Sequence, residues 1–160
     1  TSVVVEYKIR VTNEGEVAGY IKKIQDYVSS DFKFSSELNK DWYQSGTNLY
    51  NSSLANVKLE PGQSKEITLI LTKQMTENNT GLVNNTAEIV ESYNEQGLKD
   101  SDSTEGNRAK SEDDMGSADL ILSIKTGQVV ATVLVILSTI VIIGVAAYII
   151  AKRALNKRVI

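Results

Sequence analysis

Residues 129–151, VVATVLVILSTIVIIGVAAYIIA, carry no charged side chain over 23 positions. Wound as a helix, a run of that length extends roughly 34 Å, against a bilayer hydrocarbon core of roughly 30 Å. The sequence therefore predicts a single transmembrane α-helix over 129–151. Lys152, Arg153, Lys157 and Arg158 follow, with no acid among residues 152–160. Basic clusters stay on the cytoplasmic side during insertion, so these four set the topology: the tail lies inside and residues ahead of the span lie outside. A buried helix of a soluble protein is the competing reading, and the length, the lack of charge and the basic stop argue against it.

The part ahead of the span is long enough for one domain with its own core. The formal charge is −3 overall; removing the four tail cations leaves about −7 for the outer part, which argues against nucleic acid as a partner. There is no cysteine and no histidine. Thiol nucleophiles, disulfides, the usual zinc ligands and the commonest general base are thereby excluded, and no nucleophile-base constellation replaces them, so the expectation is a protein that is not an enzyme. A disulfide-free outer domain suits a bacterial surface. Thr1 falls inside an apolar-polar pattern without initiator Met or signal peptide, so the chain is expected to be the C-terminal piece of a longer protein.

Val5, Tyr7, Ile9 and Val11 alternate with Glu6, Lys8, Arg10 and Thr12, the period of a strand with one face on a core. A second strand is expected over 17–28, although Ile21, Ile24 and Tyr27 recur at helical spacing and leave a short amphipathic helix as the alternative. Phe32 and Phe34 share a face, and Trp42 is expected in the core. Pro61-Gly62 has the composition of a type II turn. Strands are expected over 65–72, with Ile67, Leu69 and Leu71 on one face; over 83–90, with Val83, Asn85, Ala87 and Ile89 on one face; and over 118–125. Short strands joined by turns predict an all-β domain, an immunoglobulin-like antiparallel β-sandwich over residues 1–125 with an acidic loop over 99–117, then a linker at 126–128.

Four segments, taken in order, resemble a known family. Tyr7-Lys8-Ile9-Arg10-Val11-Thr12-Asn13-Glu14-Gly15, Ile24-Gln25-Asp26-Tyr27, Leu59-Glu60-Pro61-Gly62-Gln63-Ser64 and Asn85-Thr86-Ala87-Glu88-Ile89 are similar to the conserved-repeat β-sandwich domains of Gram-positive surface proteins, relatives of collagen-adhesin repeats. One departure is Ser29-Ser30, where the family carries Pro soon after the Asp. The resemblance implies a stalk or spacer that presents upstream domains. It also implies an intramolecular Lys–Asn isopeptide bond as a candidate feature, with Lys8, Asp26 and Asn85 as the residues. Such a bond needs a desolvated neutral amine and a buried carboxyl to shuttle protons. Lys8, however, shares its strand face with Glu6 and Arg10, which is the solvent face; the competing reading is a buried Asn85 that hydrogen-bonds backbone.

Two further sites are candidates. Asp100, Asp102, Asn107, Glu112, Asp113 and Asp114 offer the hard oxygen ligands that Ca²⁺ prefers, the alternative being a solvated loop kept mobile by its own charge. Ser123, Lys125, Thr126 and Gly127, ahead of the apolar run, resemble a sortase signal in which Ile124 stands where Pro is usual. Cleavage there would attach the protein to peptidoglycan; without it the chain stays in the membrane. The expected function is a membrane-proximal stalk or anchor domain of an adhesin-like surface protein. Its expected partners are the lipid bilayer, peptidoglycan if sortase acts, and a host or matrix ligand through upstream domains. A sortase-processed wall or pilus protein and a single-pass sensor are the alternatives.

Overall fold

The computed structural model describes residues 2–76, 78, 80–100, 103–122 and the strand 132–141. Alternation builds the first strand: in β1 (Ser2–Asn13) Val3, Val5, Tyr7, Ile9 and Val11 all point into the core. It pairs antiparallel with β6 (Ser64–Gln74), where Ile67, Leu69 and Leu71 supply the matching apolar face. Between them along the chain come β2 (Tyr20–Asp26), β3 (Phe32–Phe34), β4 (Trp42–Ser45) and β5 (Asn48–Asn51). The chain continues into β7 (Gly81–Tyr93) and β8 (Met115–Leu122).

Two sheets result, ordered β3-β6-β1 and β4-β5-β2-β7-β8, antiparallel throughout these strands. Their inner faces share one apolar cluster, so the domain is an all-β, sandwich-like fold, with no helix among the described residues. Val83, Asn85, Ala87 and Ile89 lie on the inner face of β7 as the sequence predicts, and Trp42 is in the core. Gly62 takes φ +79°, and Gln63 N donates to Glu60 O at 2.9 Å, which are the features of the type II turn expected at Pro61-Gly62.

The helical spacing of Ile21 and Ile24 has a different origin. The β2–β7 register shifts on either side of Lys23 and is restored by Ile24, so the pairing is irregular there and both isoleucines face the core three positions apart. A bulge of this kind re-aims side chains without ending the strand. The 17–28 segment is accordingly a strand, shorter than expected.

The outer edge of β6 would be open beyond the three residues of β3, and side chains close it. The Asn39 amide acts as a one-residue strand, its Nδ2 donating to Ile70 O at 2.8 Å while its Oδ1 accepts from Ile70 N at 2.7 Å. Trp42 Nε1 donates to Thr68 O at 2.8 Å. Capping an edge in this way removes a template for unwanted pairing.

Asn13 ends β1 with a comparable device. Its Nδ2 donates to Val17 O and Leu59 O at 2.8 and 2.9 Å, and its Oδ1 accepts from Gly15 N at 2.9 Å, so one buried amide fastens two turns. Replacing Asn13 with Ala should remove all three bonds, although Leu59 O keeps Gly19 N at 3.0 Å, and lower stability by about 2 kcal/mol, read by urea unfolding.

The apolar run is where expectation and structure differ. Thr132–Val141 forms strand β9, which lies parallel to β1 from Val4↔Thr132 to Asn13↔Val141. Ten residues expected as transmembrane helix are thus extended backbone here. No helix among the described residues is long and apolar enough to cross a membrane. Seven of the ten residues are Val, Ile or Thr, which favour extended backbone, and a continuous apolar run suits a doubly buried strand as well as a membrane helix. The rest of 129–151, and Lys152, Arg153, Lys157 and Arg158, lie outside the described residues.

Ser2 pairs with Gln74 and Leu122 pairs with Gly81, and only six residues separate Gln74 from Gly81. Ser2 and Leu122 therefore lie at the same end of the sandwich, one in each sheet.

Candidate functional site

Asp26 closes β2 opposite Ala87 of β7, and Asn85 stands two residues from Ala87 on the same inner face. The strands thereby bring the predicted carboxyl and amide together: Asn85 Nδ2 donates to Asp26 Oδ2 at 2.7 Å in a fully buried setting. Asn85 bonds a carboxylate here rather than backbone. Tyr7, on the inner face of β1, contributes the third polar group of the cluster. Tyr7 Oη, Asp26 Oδ1 and Asn85 Oδ1 are all buried without a hydrogen-bond partner.

Burial decides the protonation of this cluster. It pushes the Asp26 carboxyl up to about 7, and the hydrogen bond from Asn85 only partly offsets it. Burial and the neighbouring Asp26 charge raise the Tyr7 phenol further above its ordinary value. A carboxyl that holds its proton near neutrality beside a carboxamide is what proton shuttling at an amide requires.

The amine is missing from this arrangement. Lys8 lies on the outer face of β1, with Nζ 3.1 Å from Glu6 Oε1 and 3.7 Å from Glu66 Oε1. Its pairing with Glu6 raises the amine pKa, the reverse of what a nucleophile needs. The structure therefore joins Asp26 to Asn85 and keeps Lys8 apart from both. A second lysine, not singled out from the sequence, is 1% exposed: Lys73 continues the inward parity of Ile67, Leu69 and Leu71, and its Nζ sits 2.7 Å from Asp31 Oδ2 and 5.6 Å from the Phe32 ring. Parity alone would have flagged it. Its amine is committed to Asp31.

Side-chain hydrogen bonds cross-link the acidic loop, although most of its residues from 104 to 111 are exposed. Asn94 Oδ1 accepts from Leu98 N at 2.9 Å, Ser103 Oγ donates to Asp100 Oδ2 at 2.7 Å, and Thr104 N donates to Glu112 Oε2 at 2.7 Å. Asn107 Nδ2 lies 3.0 Å from both Glu112 oxygens. Of the residues proposed as cation ligands, Asp100, Glu112 and Asp113 act by charge on Asp114 and Asn107 is spent on Glu112, but among the described residues no three acidic side chains stand where they could hold a metal ion together. Asp102 lies outside the described residues, as do Ser123, Lys125, Thr126 and Gly127.

Glu88 joins this region, and the sequence did not point to it. It sits on the outer parity of β7 yet is fully buried, because the loop folds over it: Arg108 N donates to Glu88 Oε1 at 3.1 Å, and the Tyr27 hydroxyl bonds Glu88 Oε2. The Arg108 guanidinium lies 4.2 Å from the Tyr27 ring centre. Burial and the Glu88 bond push the Tyr27 phenol up to about 12. Asp114 is pushed up to about 7 by burial and then by the charges of Glu88, Glu112, Asp113 and Asp100.

Comparison of the chain with protein-family models, with curated proteins and with solved structures finds no match.

Proposed function

We propose that this chain is the membrane-proximal stalk and anchor of an adhesin-like protein on the surface of a Gram-positive bacterium. In this reading the sandwich is immunoglobulin-like and related to conserved-repeat, collagen-adhesin-type domains. It stands outside on a single-pass helix at 129–151, with residues 152–160 in the cytoplasm. The observation that carries it is the uncharged run closed by Lys152, Arg153, Lys157 and Arg158. A non-enzymatic role fits a chain without thiol or imidazole, and upstream domains would meet the host or matrix ligand.

The reading requires the apolar run to exchange a strand for a helix. A strand needs a neighbour to satisfy its N–H and C=O groups, whereas a helix satisfies its own, so hydrocarbon favours the helix for the same ten residues that lie along β1. The expected result is that intact protein from cell fractions occurs in the membrane, retains residues 129–160 and has lost no ammonia. Recovery from the soluble fraction alone would refute the anchor.

A sortase substrate is the second reading, carried by Ser123, Lys125, Thr126 and Gly127. It predicts a species ending at Thr126 and joined to peptidoglycan. A sensor is the third; removing residues 152–160 with no change of surface phenotype would count against it.

A further inference from the structure

Leu82 is 69% exposed and Ile121 75%, the two most exposed large apolar side chains among the described residues. Alternation puts them outside: Val83 of β7 and Leu122 of β8 face the core, so their neighbours face the solvent. The β7–β8 register sets Leu82 directly opposite Ile121, and the two form one apolar row on the outer face. Two residues further along β7, Asn84 stands opposite Asp119, and Asn84 Nδ2 donates to Asp119 Oδ1 at 2.7 Å. The face thus changes from apolar to polar within roughly 7 Å. The cleft beside Leu82 is bordered by the uncharged polar groups of Ser29, Asn78 and Thr80 and by the ion pair of Asp31 and Lys73.

The place of the row identifies what covers it. Leu122 closes β8 at the end of the sandwich where Ser2 lies, and residues 123–128 alone separate it from the uncharged run. The peptide links from Leu122 to Val129 span at most about 25 Å, so with the run in a bilayer this end of the sandwich cannot stand far from the headgroups.

We propose that Leu82 and Ile121 dip into the interface of the outer leaflet and hold the sandwich on the membrane, instead of letting it swing on the linker. The inference rests on the proposed anchor and deepens it, since the chain then meets the bilayer at two places. Interfacial apolar faces sink about 5–10 Å into the boundary between headgroups and acyl chains, a depth that takes in this row and leaves Asn84 and Asp119 in the headgroup water. Hydroxyl and amide groups beside Leu82 suit the same layer, where they keep water or headgroup oxygens as partners. The attraction is apolar, so it needs no anionic lipid.

The chain contains no cysteine, so one introduced cysteine takes one nitroxide spin label. The full chain is reconstituted in phosphatidylcholine vesicles, and the collision of each label with oxygen is compared with its collision with a water-soluble nickel chelate. Labels on Leu82→Cys and Ile121→Cys should favour oxygen severalfold more than a label on Tyr93→Cys, an exposed site at the far end of β7. Adding Leu82→Ser to the labelled Ile121→Cys protein should lower the docked-to-free ratio by about tenfold. Both side chains are exposed, so these changes leave the core intact. A label on Ser138→Cys, within the uncharged run, reads the anchor separately. A membrane-buried Ser138 label with aqueous labels at 82 and 121 would overturn the contact and leave the anchor standing. An aqueous Ser138 label would remove both. Spin-spin broadening at 82 and 121 without a preference for oxygen would assign the row to a second copy of the chain and overturn the membrane contact as well.

Discussion

Raising the pH from 5 to 9 should cost the domain about 3 kcal/mol of stability through Asp26. In the fold this carboxyl keeps its proton up to about pH 7, against an ordinary value of 3.8 when the chain is unfolded. Below the lower value both states are protonated and the contribution is complete. Between the two values the unfolded chain has released a proton that the folded chain still holds, so each pH unit removes about 1.4 kcal/mol. Above about 7 both are ionised and the whole contribution, about 4 kcal/mol, is gone. Asp114, raised for the same principal reason, adds to the trend with the same sign. Asp26→Asn should flatten the profile without removing the share due to Asp114. The new amide can donate toward Asn85 Oδ1 or Tyr7 Oη, both without partners, so the variant should match the wild type at pH 5 and exceed it at pH 9. Urea unfolding across this range decides the matter, and parallel profiles for the two proteins would remove Asp26 as the cause.

Trp42→Ala should destabilise the domain by about 4 kcal/mol, the usual range for deleting a buried indole. The side chain is in the core, and its Nε1 caps Thr68 O on the otherwise open edge of β6. The two contributions separate with Trp42→Phe. That change keeps most of the apolar contact and strands one carbonyl, so its cost should be about 1 kcal/mol. Equal losses for the two variants would place the energy in the hydrogen bond rather than in packing.

The strands that were legible are those whose inner face obeys strict alternation. In β1 and β6 the apolar parity of Tyr7 and Leu69 is also the buried parity, and in β7 the apolar parity of Ala87 is buried together with Thr86 and Glu88 of the other parity. The second strand looked partly helical because a bulge breaks parity, and one sequence contains no signal that separates a bulge from a helical turn. β4 and β5 were obscure because they are four residues each, too short for a period to emerge. The same logic governs the sites. The family resemblance named Asn85 and Asp26 together, and alternation placed Asn85 on the inner face, while the burial of Glu88 depends on a loop that returns from twenty residues away to cover it, with Arg108 N donating to its carboxylate. The 132–141 run is ambiguous in principle, since its composition serves a strand and a span equally.

The placement of Ser2 and Leu122 at one end of the sandwich determines how the domain would bear a load. With β9 withdrawn from β1, as the proposed anchor requires, a pull applied at those two points does not slide strands past one another, which would break many ladder bonds at once. It opens the gap between the sheets like a peeling joint, one layer at a time from the end where β1 meets Gln74. The first layers to part are those of Val3 and Leu122, followed by the polar layer of Tyr7 and Asp26. Resistance in this direction is set by the few contacts at the opening front rather than by the total area of the core. As a tether such a unit yields at low force and lengthens, absorbing tension by extension more than by stiffness.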